Sequence, residues 1–311
     1  MVATPVPTGA QPRQAAPLSA RLAPHLTGWA FALPFVLLFL AFWALPIVAS
    51  FVLSLTDFGI TNLREPFGAP YAGLDNYSKL IHDELFWKSA RNTAYFVVVG
   101  VPATIAVGLA VAVGLNHAAL RLKGLFRVAY YLPVVTSIVA VAVIWRFLYN
   151  PDVGLINRLL DLVGISGPNW LGDPHLAMPS LIVLGVWRNF GFDAVIFLAA
   201  LQAVDPALYE AARTDGATAW QVFRRITLPL LRPALLFLTV LTTIGYLQVF
   251  EEPFVMTKGG PLNSTLTVSQ LIYNQGFKFF NLGYASAIAY ALMLVIAVLA
   301  VVQFRLLRPE T

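Results

Sequence analysis

Six stretches of this chain are each long and apolar enough to cross a lipid bilayer, and that alone removes most folds. A helix crossing the ~30 Å hydrocarbon core needs about 20 mostly apolar residues. The runs fall at 28–55, 92–116, 124–149, 175–203, 233–254 and 283–304. Inside lipid every backbone N–H and C=O must find a partner within the protein, so only helices and closed barrels span it. These runs are too long and too unalternating for barrel strands. The predicted fold class is therefore all-α, a polytopic membrane protein with six transmembrane helices. Pro34 and Pro46 in the first run and Pro133 in the third mark expected kinks.

Composition excludes several function classes. Hydrophobic residues make up 59% of the chain and charged residues only 11%, against roughly 25% charged in soluble domains. With no cysteine, the chain has no disulfide framework, thiol nucleophile or Cys-ligated metal. The four histidines, His25, His82, His117 and His175, are scattered without metal-ligand spacing. No metal site is expected. The dipeptide Gly-Lys does not occur, so there is no Gly-x-x-x-x-Gly-Lys-Ser/Thr phosphate loop and no expectation of ATP hydrolysis by this chain. No catalytic residue is assigned.

Orientation follows the distribution of Lys and Arg. An even number of spans places both termini on one side. That side holds eleven basic residues, among them Arg121, Lys123, Arg127, Arg213, Arg224, Arg225 and Arg232, against four acids, a net of +7. The other side has nine basic residues and eleven acids, a net of −2. Both termini are therefore expected in the cytoplasm, and the basic excess reflects insertion topology; no nucleic-acid partner is implied. Residues 1–27 are rich in Ala, Pro and Gln and read as a disordered cytoplasmic tail, with residues 28–311 as the six-span domain.

The segment between the fourth and fifth spans, residues 205–232, has its own local structure. Asp205 followed by Pro206 is an N-cap and a first-turn proline. Residues 207–214 suit a helix, Asp215-Gly216 closes it through the left-handed conformation that glycine accepts, and Thr218 caps a second short helix. The prediction is a rigid helix–turn–helix knob tied to two spans, where Ala211 and Ala212 allow close approach of a partner and Glu210 could pair with a basic residue. A surface loop resting Leu, Trp and Phe on lipid headgroups is the open alternative. Asp205, Glu210 and Asp215 as a hydrolytic carboxylate cluster is the less economical reading, because cap, docking and turn roles already account for them.

This segment resembles the EAA loop of ABC-importer permeases: Glu210-Ala211-Ala212, two residues, Asp215-Gly216-Ala217, eight residues, Ile226, one residue, Leu228-Pro229. The resemblance implies the ABC type I importer permease fold and a coupling role toward a cytoplasmic ATPase subunit for Glu210, Ala211, Ala212, Asp215, Gly216, Ala217, Leu228 and Pro229. Further strings occur in order along the chain: Gly73-Leu74-Asp75-Asn76-Tyr77, Phe126-Arg127, Tyr131-Leu132-Pro133, Ile144-Trp145-Arg146, Gly154-Leu155-Ile156-Asn157, Thr257-Lys258-Gly259-Gly260-Pro261 and Gly283-Tyr284-Ala285-Ser286-Ala287. Together they resemble carbohydrate permeases of the maltose, multiple-sugar and glycerol-3-phosphate type, and the first-type permease of each pair. The resemblance implies a second homologous permease, two ATPase subunits that bind ATP and Mg, an extracytoplasmic solute-binding protein, a carbohydrate cargo and residence in the cytoplasmic (inner) membrane.

Polar groups inside spans are costly and usually face a cavity or one another. The expected solute pathway takes Trp145, Trp187, Arg188, Asn189, Tyr246, Gln248, Glu251, Tyr284 and Ser286, which supply aromatic faces for sugar C–H surfaces and polar groups for hydroxyls. Arg188 and Asp193 are five apart, outside the spacing at which helix faces repeat. Each residue has a plain alternative: Trp145, Tyr246 and Tyr284 as interface aromatics, Arg146 as a snorkelling cation, Glu251 and Glu252 as markers of the watery mouth. By resemblance, Tyr246, Gln248 and Glu251 come from the span that lines the sugar site. The acid-rich mouth argues against an anionic cargo. A stand-alone secondary transporter is the competing function, although it would place coupling-ion carboxylates at the midplane, whereas these acids lie mostly near span ends. An intramembrane enzyme would cluster catalytic residues within spans, and the chain has no Cys and no span-embedded His.

Overall fold

The computed structural model describes residues 18–65, 68–116 and 123–307. Residues 1–17 of the expected tail lie outside that set, as do His117, Arg121, Arg308 and Glu310. Among the described residues the secondary structure is helical, with one isolated antiparallel bridge between Thr56 and Tyr71. The chain forms two units, residues 1–52 and 53–311.

The first unit is the first span. Helix α1, Leu18–Phe39, passes through a π-helical turn at Leu40–Ala44 into α2, Leu45–Ser54. Helix begins ten residues before the expected span, because 18–23 are good helix formers, which the Ala/Pro/Gln composition of the whole tail concealed. The π turn sits where the Pro46 kink was expected. Pro46 has no N–H for the Phe42 carbonyl, and the Leu45 N–H instead reaches back five residues to Leu40.

The second unit runs α3 (Asp75–His82), α4 (Glu84–Asn116), α5 (Lys123–Val135), α6 (Ile138–Leu148), α7 (Leu155–Asp161) and α8 (Ala177–Gln202). It continues through α9 (Pro206–Thr214), α10 (Ala219–Val222), α11 (Leu228–Leu230), α12 (Arg232–Leu247), α13 (Glu251–Met256), α14 (Val268–Tyr273) and α15 (Leu282–Leu307). Its spine is the pairing of α4 with α8. On α4, Phe96, Gly100, Thr104, Gly108 and Ala112 recur every fourth residue and all are buried. Small residues at that spacing let backbones approach where lipid supplies no hydrophobic drive. A Cβ on Gly108 would stand 2.7 Å from the Asp193 Cβ, and one on Gly100 would stand 2.8 Å from the Tyr246 ring. Apolar cores fill the spaces beside this spine, one around Phe96, Leu181 and Leu184, another around Phe197, Leu198, Leu231 and Leu238.

Two expected spans are interrupted. The third is a bent pair, with α5 and α6 meeting at 107°. Pro133 cannot donate backward, Thr136 Oγ1 turns onto the Leu132 carbonyl at 2.7 Å, and Ser137 takes extended backbone ahead of α6. The fifth stops at Leu247 and restarts at Glu251. Pro253 lacks the N–H that would reach the Val249 carbonyl; that carbonyl accepts the Thr267 hydroxyl at 2.9 Å instead. Hydropathy reads through both breaks because the few polar residues there are outweighed by the apolar residues on either side.

Several of the short strings act as clasps in the loops between spans. Asn76 is buried and donates to the carbonyls of Ser54 at 3.0 Å and Thr56 at 2.8 Å. Asn157 donates to the carbonyls of Pro151 and Pro168, and its Oδ1 accepts from Trp170 Nε1 at 2.6 Å.

Candidate functional site

The knob between α8 and α12 forms as its residues dictate. Asp205 Oδ1 accepts the Ala207 N–H at 2.9 Å, with Pro206 at the first helical position. At the other end of α9, Gly216 has φ +75°. Its N–H donates to Arg213 and the Ala217 N–H donates to Ala212, both at 3.0 Å, the paired closure that a left-handed residue makes possible. Asp215, Gly216 and Ala217 thus end α9. Thr218 and Gln221 then cap α10 reciprocally, at 2.8 Å and 3.3 Å. A π turn at Phe223–Thr227 joins α10 to α11, which opens with Leu228-Pro229. Thr227 Oγ1 donates to Tyr209 OH at 3.4 Å across the two limbs.

Glu210 and Ala211 are exposed, whereas Ala212 is buried, so only the first of the two alanines offers a surface for close approach. Behind the knob lies a cavity of about 650 Å³, walled by Asn116 at the end of α4 and by Tyr209, Arg213, Phe223 and Thr227.

The second site lies where α12 is interrupted. A cavity of about 260 Å³ is lined by Val134 of α5, by Arg188, Asn189 and Asp193 of α8, and by Tyr246, Gln248, Glu251 and Glu252. Five of the nine expected pathway residues therefore meet in one place: Arg188, Asn189, Tyr246, Gln248 and Glu251. Gln248 and Glu251 are exposed. Arg188 and Asp193 share the cavity without satisfying one another, since neither Arg188 Nε nor Asp193 Oδ2 has a hydrogen-bond partner.

Tyr246 is 6% exposed and acts chiefly as a tie. Its OH shares a hydrogen bond with Thr104 Oγ1 at 2.7 Å and accepts from Asn189 Nδ2 at 3.5 Å. Its ring meets Phe96 edge-on at 5.0 Å. It joins α4, α8 and α12 just before the break. Tyr246→Phe is expected to lower stability by about 1 kcal/mol, read as a reduced thermal midpoint in detergent, because Thr104 keeps its bond to the Gly100 carbonyl.

The other four expected residues lie elsewhere. Trp145 and Trp187 face each other at 5.4 Å in an aromatic cluster with Tyr149 and Trp170. Tyr284 is 2% exposed. Its OH donates to Asp83 Oδ2 at 2.5 Å and its ring lies 4.5 Å from Lys79 Nζ. Ser286 is half-buried on α15, away from the cavity lining. Sequence reading passed over Thr104, whose place in the four-residue repeat of α4 was the available signal, and it did not select Asp193 or Glu252 among the pathway residues.

Residues 104–310 match the family described as the binding-protein-dependent transport system inner membrane component. The chain belongs to that family. As a transport permease component it is an integral inner-membrane protein. Among its relatives is the lactose transport system permease protein of Rhizobium radiobacter, 39% identical over 284 residues, covering 90% of this chain and 93% of that one. Another is the trehalose/maltose transport system permease protein of Thermococcus litoralis, 36% identical over 256 residues, covering 82% and 84%. The fold is shared with a bacterial ABC transporter that imports the acidic polysaccharide alginate, at a TM-score of 0.79 and 26% identity, over 94% of this chain and 99% of that one. The ABC type I importer permease fold and the all-α class follow from these matches.

Proposed function

We propose that this chain is the membrane-spanning permease subunit of an ATP-driven importer of a sugar or oligosaccharide. The observation that carries the reading is the knob: two capped helices locked by the Gly216 turn and fastened to α8 and α12, in a permease of this family. It supports a coupling role for Glu210, Ala211, Asp215, Gly216, Ala217, Leu228 and Pro229, with Ala212 supporting the turn from within. The carbohydrate cargo rests on the relatives' described substrates and on the hydroxyl-binding chemistry of the α8/α12 cavity. Both termini and the knob face the cytoplasm, as the basic residues imply.

In this reading the chain is non-catalytic. Two partner ATPase subunits bind ATP and Mg, a second homologous permease forms the other half of the pathway, and an extracytoplasmic solute-binding protein delivers the cargo. ATP hydrolysis on the partners supplies the free energy. Closure of the ATPase dimer draws the knobs of the two permeases together. Because α9 to α11 are stiff and continuous with α12, that displacement reaches the interrupted span and the cavity beside it.

Gentle affinity purification from native membranes tests this. The expected result is recovery with a second six-span chain and an ATPase, and carbohydrate uptake by the reconstituted complex that depends on ATP. A chain recovered alone that moves a solute down an ion gradient without ATP would establish the stand-alone secondary transporter instead.

A further inference from the structure

The α8/α12 cavity carries three carboxylates, Asp193, Glu251 and Glu252, against the single guanidinium of Arg188, a formal charge of −2. Asp193 is 1% exposed and Glu252 is 5% exposed. These are not groups on a solvated rim. Arg188 Nε is a buried donor without an acceptor and Asp193 Oδ2 a buried acceptor without a donor. Buried polar groups left open in this way are unusual in native structures and call for an explanation.

A hydroxyl both donates and accepts. A polyol in the cavity can therefore donate a hydrogen bond to Asp193 and accept one from Arg188 without bringing charge. A carboxylate or phosphate can only accept. It would pair with Arg188 at the cost of entering an acidic lining, the arrangement by which a site rejects a competitor. Clefts lined by one sign of charge also set the local concentration of ions before any contact is made.

We propose that this cavity is a charge filter: Asp193, Glu251 and Glu252 turn back anionic carbohydrates, and neutral ones pass with their hydroxyls between Asp193 and Arg188. Glu251 is the exposed one of the three acids, and Gln248, also exposed, adds a neutral donor and acceptor. The filter rests on the importer reading above and names the cargo's charge class within it. A fold shared with a transporter of an acidic polysaccharide does not fix that class, because the sign of the lining is set by a few side chains.

The absence of cysteine permits a direct test on the assembled complex in lipid nanodiscs. Gln248→Cys places a thiol in the cavity, and its modification by a cationic and an anionic methanethiosulfonate reagent is followed by mass spectrometry of that peptide. Each rate is divided by the same reagent's rate with a free thiol in solution. The expected normalised ratio favours the cation by about tenfold or more, and adding Glu251→Gln with Glu252→Gln brings it close to one. A ratio near one in the parent, or one that the two amides leave unchanged, overturns the filter. Thr242→Cys, in the same lining, serves if the first variant does not assemble. Carbohydrate uptake by the unmodified complex separates the two readings. Uptake with charge-blind labelling removes the filter and leaves the importer. Biased labelling without uptake of any carbohydrate removes the importer and the filter together.

Discussion

Glu210→Lys is expected to abolish uptake while the protein remains inserted at normal abundance. Glu210 is exposed on α9, so reversing its charge creates no cavity and no clash within this chain. The cost falls on a partner surface, where placing like charges together amounts to several kcal/mol. Gly216→Pro should give the same phenotype by a different route. Gly216 holds φ +75°, whereas proline fixes φ near −65° and removes the N–H that donates to Arg213. The closure of α9 would be lost without disturbing any span, since nothing lies within 4 Å of a Cβ built at Gly216. The measurements are transport and co-purification of the ATPase, set against membrane-fraction abundance. Full uptake by either variant at normal expression would remove the coupling role from this loop. Loss of insertion would show instead that the loop is needed for folding.

The largest structural effect is expected at Gly191, in the middle of α8. A Cβ there would collide with the backbone carbonyl of Tyr130 and stand 3.4 Å from the Tyr131 Cα. Backbone cannot rotate away as a side chain can, so Gly191→Ala must push α5 off α8. Overpacking of this kind costs about 1–3 kcal/mol. Gly114→Ala is the control, because nothing lies within 4 Å of its Cβ, and exposed changes of this sort stay within about 0.5 kcal/mol. Thermal denaturation of the purified complex should separate the two. Equal midpoints would mean that α5 and α8 are not in the contact described.

Five of the six expected spans are long helices and the remaining one is the bent pair α5 and α6, and they were legible because about 20 apolar residues have few other uses. The knob was legible almost residue by residue, because caps, a first-turn proline and a glycine closure are local and act within a few positions of one another. What escaped was non-local. Hydropathy ran straight through the bend after Pro133 and the break before Pro253, since both are matters of a missing N–H, and the few polar residues at each are outweighed by the apolar ones around them. Tyr284 has the look of a sugar-binding aromatic, yet its partner Asp83 lies 201 residues away. Tyr246 was chosen for its ring, while its hydroxyl is held by Thr104, 142 residues away. Side chains named as contacts for a solute were in part contacts for the fold.

The interruption after α12 also bears on how the membrane voltage acts on this chain. Sixteen residues of α12 give a helix of about 24 Å, shorter than the ~30 Å core it must cross. Unwound backbone at that depth survives only where it lines water or protein, and here it does both: Gln248 and Glu251 are exposed beside the cavity, while the Val249 carbonyl is held by Thr267. Water entering the cavity carries part of the voltage drop inward, so Glu251, exposed there, feels less of the field than its place in the span suggests, whereas Glu252 is buried in protein. Of the two acids that the sequence writes into this span, one is electrically closer to the solution than to the bilayer and the other is not.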